Sequence, residues 1–185
     1  MRVASDSLRG PVRVSVFAAI VAALGALPPI PVPVIPVPVT AQTLGVMLAG
    51  LLLGPRRGAE ALGLFLLLVA IGFPLLSGGR GGLSVFAGPS AGFLVAYPLA
   101  AAVTGWSSRA IWARYTVVRG FACAAIGGIG VVYAVGIPWM AVVGGLTLGQ
   151  AAIGSAAFLP GDLVKAILAA IIAGMVRRGY PALQP

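Results

Sequence analysis

The length of its charge-free stretches limits what this sequence can fold into more than any other feature. No Asp, Glu, Lys or Arg occurs between Arg13 and Arg56, Glu60 and Arg80, Arg80 and Arg109, or Arg119 and Asp162, and each gap spans at least 19 residues. About 20 mainly apolar residues carry a helix across a bilayer. Apolar residues make up 60% of the 185 and charged residues 8%, against roughly 25% charged in a soluble domain. The chain lacks the polar surface to face water and reads as a single-domain, all-α integral membrane protein.

The expected crossings lie near residues 12–27, 43–55, 58–74, 90–106, 117–136 and 160–178. Six crossings return both termini to one side. Ten bases, Arg2, Arg9, Arg13, Arg56, Arg57, Arg109, Arg114, Arg119, Arg177 and Arg178, fall on that side, which the positive-inside rule makes cytoplasmic. The net charge of +9 is thus a topology signal rather than a nucleic-acid footprint. A seventh crossing at 139–159 would put Arg177 and Arg178 outside, so that stretch is expected as a glycine-rich outer hairpin or re-entrant segment. Arg2, Arg9 and Arg13 before an apolar run give the start of the chain the look of a secretory leader. The apolar style continues throughout, so cleavage is not expected.

Two irregular stretches interrupt the helices on the expected outer side. Pro28-Pro29-Ile30-Pro31-Val32-Pro33-Val34-Ile35-Pro36-Val37-Pro38-Val39-Thr40 cannot be helix, because proline lacks the amide proton and disfavours helix in the residue before it. Apolar, non-helical backbone does not face lipid, so this loop either packs on the protein and lines a cavity or lies at the interface as a stiff outer loop. Ser77-Gly78-Gly79-Arg80-Gly81-Gly82-Leu83-Ser84 continues into Gly88-Pro89-Ser90-Ala91-Gly92, and glycines let backbone approach a ligand closely. Together the two stretches are placed to form a lid.

Ionisable residues at membrane depth are costly and mark function. Arg80, Asp162 and Lys165 are the candidates. Asp162 and Lys165, at i,i+3 on the opening turn of the last helix, share one face. They suit a ligand with a donor at one end and an anion at the other, or an intrahelical ion pair with the lysine reaching to the headgroups. Arg80 suits a carboxylate or a lipid phosphate. Gln42 offers an amide to a ligand or to neighbouring helices. Tyr97, Tyr133 and Trp139 suit the walls of an apolar site or an interfacial aromatic belt. On the first helix, Ala18 with Ala22 and Ala19 with Ala23 form two overlapping small-xxx-small pairs, where a partner helix of another protein or of the same chain packs closely.

Other chemistries are missing. The sequence holds no histidine, one cysteine (Cys123) and three acids (Asp6, Glu60, Asp162), which removes serine–histidine catalysis, histidine metal sites and paired-aspartate hydrolysis. No phosphate-binding loop is present, so any ATP-driven work belongs to another subunit. An enzyme is not expected.

Pro-Val-Pro-Val-Thr with Gln42 two residues on, Leu53-Gly54-Pro55-Arg56-Arg57-Gly58, Gly78-Gly79-Arg80-Gly81-Gly82, Gly88-Pro89-Ser90-Ala91-Gly92-Phe93-Leu94 and Pro160-Gly161-Asp162-Leu163-Val164-Lys165 occur in that order. With these five motifs the chain resembles, over nearly its whole length, the BioY family of biotin-specific substrate-binding S components of energy-coupling-factor (ECF) transporters. The resemblance implies a six-helix bundle in the cytoplasmic membrane of a prokaryote, capturing biotin on the outer side beneath the first loop. It implies no cofactor, and as partners a transmembrane coupling protein (T component) and two ABC-type ATPases. The alanine pairs on the first helix match the docking surface of such subunits. Substrate contacts map onto Arg80, Asp162 and Lys165, with Gln42 and Tyr97 beside them. Asp162 is expected at biotin's ureido N–H donors and Lys165 at its valerate, with Arg80 as a further polar contact. Phe93 stands where the family often has tyrosine. The competing expectations are an S component for another vitamin, and a small channel or assembly protein whose three odd charges are interfacial anchors.

Overall fold

Glycine and proline decide where the helices bend, touch and stop. The structure, a computed structural model, describes residues 2–33 and 35–180, with side chains from Gly10 onward. Val34 of the proline run and the side chains of Arg2, Asp6 and Arg9 lie outside the described set. Helix α1 (Arg2–Gly25) ends where a Cβ on Gly25 would fall 2.1 Å from the Leu75 carbonyl oxygen. Helix α2 (Gln42–Ala70) is broken at Gly54, whose φ of 78° lies in the left-handed region. Pro55 then opens the second half, where its missing N–H is not needed. The expected segments 43–55 and 58–74 therefore fall on two helices that meet at this break, and a Cβ on Gly58 of the second would lie 3.2 Å from the Ala49 carbonyl oxygen of the first.

Helix α3 (Ala91–Ile111) crosses that break with almost no separation: a Cβ on Gly105 would sit 2.3 Å from the Gly54 carbonyl carbon and 2.4 Å from the Pro55 nitrogen. Helix α4 (Val117–Ala125) passes through a π-helical turn, Ile126–Val131, into α5 (Val132–Gly144). In that turn Gly127 and Gly128 bring the backbone against Thr104 of α3 and Met47 of α2, each within 2.5 Å of the missing Cβ. A tight turn with Gly145 at φ 65° leads to α6 (Leu148–Ser155), which starts on a Thr147/Gln150 capping box. A 3-10 turn joins α6 to α7 (Leu159–Gly179). Residues 139–159, expected as a glycine-rich hairpin or re-entrant segment, thus form the end of one helix, a turn and a short second helix. The reason is that a cap and one left-handed glycine suffice for a helical reversal.

Among the described residues there is no β-strand, only two isolated bridges, Ile30 with Val39 and Leu76 with Arg80. Two continuous helical stretches, Val117–Gly144 (28 residues) and Leu148–Gly179 (32 residues), are long and apolar enough to span a bilayer. The interior is knitted by small side chains, with Ala100, Ala101, Ala124, Ala166, Ala169 and Ala173 fully buried, while Val142, Ile153 and Trp106 are 84%, 76% and 74% exposed. Close approach through small residues with large apolar groups turned outward is how helices pack when lipid surrounds them.

The two ends of the bundle differ. At one end Arg177 donates to the Ala113 carbonyl and lies over Trp112, Arg119 donates to the Arg114 carbonyl, and Arg56 pairs with Glu60. At the other end lie the proline-rich chain, residues 71–90 and the start of α7. There Ile30 and Val39 exchange both backbone hydrogen bonds, and Ile35 and Val37 are buried while Pro36 between them is exposed. A Cβ on Gly154 of α6 would fall 2.1 Å from Ile35 Cγ2, so the apolar run packs on the protein.

Candidate functional site

The opening turn of α7 carries the chemistry. Pro160 stands in that first turn, and Gly161, without a side chain, lets Val39 come within 3.7 Å of where its Cβ would be. Asp162 follows, where the helix dipole favours an anion. The residue is 3% exposed, and its carboxylate accepts three hydrogen bonds: Oδ1 from Thr43 Oγ1 at 3.0 Å and Lys165 Nζ at 2.9 Å, Oδ2 from the Tyr133 hydroxyl at 2.8 Å. Lys165 Nζ donates in addition to Thr43 Oγ1 at 3.1 Å and to the Thr40 carbonyl. One ion pair thus joins α7, α5, the first turn of α2 and the last residues of the proline-rich chain. A buried charge is tolerated only when so partnered.

This cluster forms one end of a cavity of about 570 Å³, its open mouth included. The walls are mostly apolar and aromatic. Phe93, Tyr133 and Phe158 meet edge to face with ring centroids 5.9–6.5 Å apart, and Leu94 and Tyr97 continue the α3 face. Arg80 lies at the rim. Its Nε donates to the Ser77 carbonyl at 3.3 Å, within a loop whose Gly78, Gly79 and Gly82 all have positive φ. Among the described residues no carboxylate pairs with it.

All five residues expected at a binding site, Arg80, Asp162, Lys165, Gln42 and Tyr97, line this cavity. Gln42 also holds the fold together, because its Nε2 donates to the Val21 carbonyl at 3.4 Å and the Leu75 carbonyl at 3.3 Å, tying α1 to the glycine-rich loop. Tyr133 is a wall, but Trp139 is not. The Trp139 indole N–H binds the Gly88 carbonyl at 3.0 Å and pins that loop to α5. The alanine pairs divide, with Ala18 buried inside the chain, Ala22 half-buried, and Ala19 and Ala23 exposed. Sequence reasoning missed Thr40 and Thr43 as partners of the ion pair, and Phe158 as a wall. The two threonines flank Gln42 by two positions and one, a hint of polar atoms collecting at a helix start, while Phe158 gives no local signal.

A bundle of apolar helices around a cavity lined by aromatic rings, with a buried ion pair at one end and a cation at the rim, defines a small-molecule-binding membrane protein. The family model described as BioY family matches residues 1–182, and the chain belongs to that family. It is 53% identical over 182 residues to the "Biotin transporter BioY" of Rhizobium etli, covering 96% of this chain and 97% of that one. Against the "Probable biotin transporter BioY" of Bacillus subtilis it is 47% identical over 160 residues, 86% of each chain. The crystal structure of the S-component for biotin from an ECF-type ABC transporter superposes with a TM-score of 0.92 at 31% identity over 98% of both chains, so this chain has the S-component fold.

Proposed function

We propose that this chain captures biotin from the outer side of a prokaryotic cytoplasmic membrane and serves its uptake as the S component of an ECF-type transporter. It is a transport subunit rather than an enzyme, biotin is its cargo, and no cofactor is needed. The observation that carries the reading is the Asp162–Lys165 pair, 2.9 Å apart, facing a cavity with Arg80 at its rim. Biotin's ureido N–H and C=O are neighbours on one ring, so a carboxylate and an ammonium in contact complement them together. Lys165 is therefore assigned to the ureido end rather than to the valerate, because Asp162, Thr43 and Thr40 take its three N–H donors and hold its ammonium there, and the N–H now given to Thr40 turns to the ureido carbonyl on binding. Arg80, whose planar fork suits a carboxylate, takes the valerate. The Phe93, Tyr133 and Phe158 rings suit the thioether ring between, since sulfur packs favourably against aromatic edges.

Six crossings near 12–27, 43–55, 58–74, 90–106, 117–136 and 160–178 fit this function, with the arginine-rich end cytoplasmic. The half of α2 covering 42–53 is only about 18 Å long at 1.5 Å per residue, shorter than the roughly 30 Å hydrocarbon core. Residues 37–41 complete that crossing, irregular backbone being tolerated at depth where it lines a cavity. A T component and two ATPases supply the energy, and the exposed Ala19 and Ala23 form the docking face.

Titration calorimetry of detergent-purified protein with biotin tests the reading. Tight one-to-one binding is expected, with Arg80→Gln weakening it by about 1.5–3 kcal/mol, roughly 10–150-fold, the worth of a hydrogen bond to a charged group. Absence of binding in folded protein refutes the assignment.

A further inference from the structure

Outside the cavity lies a second space of about 760 Å³ with its open side, lined by Pro36 of the proline-rich chain and by Gly79, Gly81, Ser84, Gly88 and Pro89. The two spaces share Arg80 and Ser90. Two of its glycines leave open room beside backbone, since a Cβ on Gly79 would meet no atom within 4 Å and one on Gly88 only the Val85 carbonyl at 3.8 Å, and the hydroxyl-bearing Ser84 and Ser90 and the side chain of Val85 complete the lining. Exposed peptide groups without side chains are open to partners that bring their own amides and hydroxyls. The proposed orientation sets the ligand's carboxyl at Arg80, on the wall common to both spaces. Whatever is attached to that carboxyl therefore continues outward into the second space, not back into the aromatic walls.

We infer that the outer space is a subsite for the tail of biotin amides, so that the chain binds conjugates in which the valerate carboxyl is joined to a short polar chain such as lysine. This rests on the orientation given above. An amide loses the negative charge that faces Arg80, but its carbonyl still accepts from the guanidinium. Conjugates bind more weakly than the free acid for that reason and not for lack of room.

The experiment measures binding of three ligands to the full chain in detergent: biotin, biotin primary amide and Nε-biotinyl-lysine. The primary amide has no tail, so its affinity relative to biotin isolates the lost charge. The lysine conjugate should bind within about tenfold of the primary amide, a difference under about 1.4 kcal/mol. Ser84 is exposed and lines only the outer space. Ser84→Trp should weaken the lysine conjugate by tenfold or more while changing biotin and the primary amide less than threefold. A lysine conjugate more than tenfold weaker than the primary amide overturns the subsite while leaving biotin capture standing. So does an equal effect of Ser84→Trp on all three ligands. If biotin itself fails to bind, the orientation and the subsite fall together.

Discussion

Replacing Asp162 with asparagine separates what the buried carboxylate does for the fold from what it does for the ligand. In the wild type it accepts from Thr43, Lys165 and Tyr133 at 3.0, 2.9 and 2.8 Å. An asparagine turns its one oxygen to Lys165 and Thr43 and points its NH2 at Tyr133, whose hydroxyl must reverse to accept. Lys165, with a side chain 14% exposed, is left with a charge and no counter-ion. Losing one partner of a buried pair costs about 3–5 kcal/mol. Here Thr43 and Thr40 continue to accept from the ammonium, so about 2–3 kcal/mol is expected, readable as a lowered Tm without ligand. On the ligand side, a ureido N–H loses a charged acceptor, worth about 1.5–3 kcal/mol, or roughly 10–150-fold in Kd by calorimetry. A second change, Lys165→Met on top of Asp162→Asn, removes the orphaned charge. It should return most of the Tm while binding stays at least as weak as in Asp162→Asn. Asp162→Asn protein that binds biotin within threefold of wild type refutes the placement of the ureido ring. A double variant no more stable than Asp162→Asn alone refutes the account of the pair.

Gly105→Ala should lower thermal stability by at least about 1–3 kcal/mol, the range for overpacking, because the new methyl meets Gly54 and Pro55 backbone within 2.5 Å and backbone yields less than side chain. An unchanged Tm in a thermal melt would mean that α3 does not cross the Gly54 break so closely. Ala19→Arg with Ala23→Arg should abolish ATP-dependent uptake in cells or proteoliposomes while leaving biotin affinity unchanged, since both residues are exposed. Loss of biotin binding in that variant would show that the helix face serves the fold and not a partner.

The sequence was enough for the class of fold and for the identity of the polar residues at stake. Charge-free runs gave an all-helical membrane protein, Gly54-Pro55 marked a break, and the proline run excluded helix over 28–40. The rarity of charge singled out Arg80, Asp162 and Lys165, since polar atoms at membrane depth stand out against so apolar a background. Partner choice was beyond it. Thr43 meets Asp162 across 119 positions, Tyr133 across 29, and Lys165 reaches Thr40 across 125, and no local pattern announces such meetings. Nor could the inward face of each helix be read. In water the inward stripe is apolar and the outer face polar, but with lipid outside both faces are apolar and the period that would mark the interior vanishes. Phe158 lining the cavity and Trp139 standing outside it were indistinguishable for this reason, as were the buried Ala18 and the exposed Ala19. Only the packing of helices through small residues and bare glycines decided which side chains turned inward, and so where a ligand finds its donors, its acceptors and its walls.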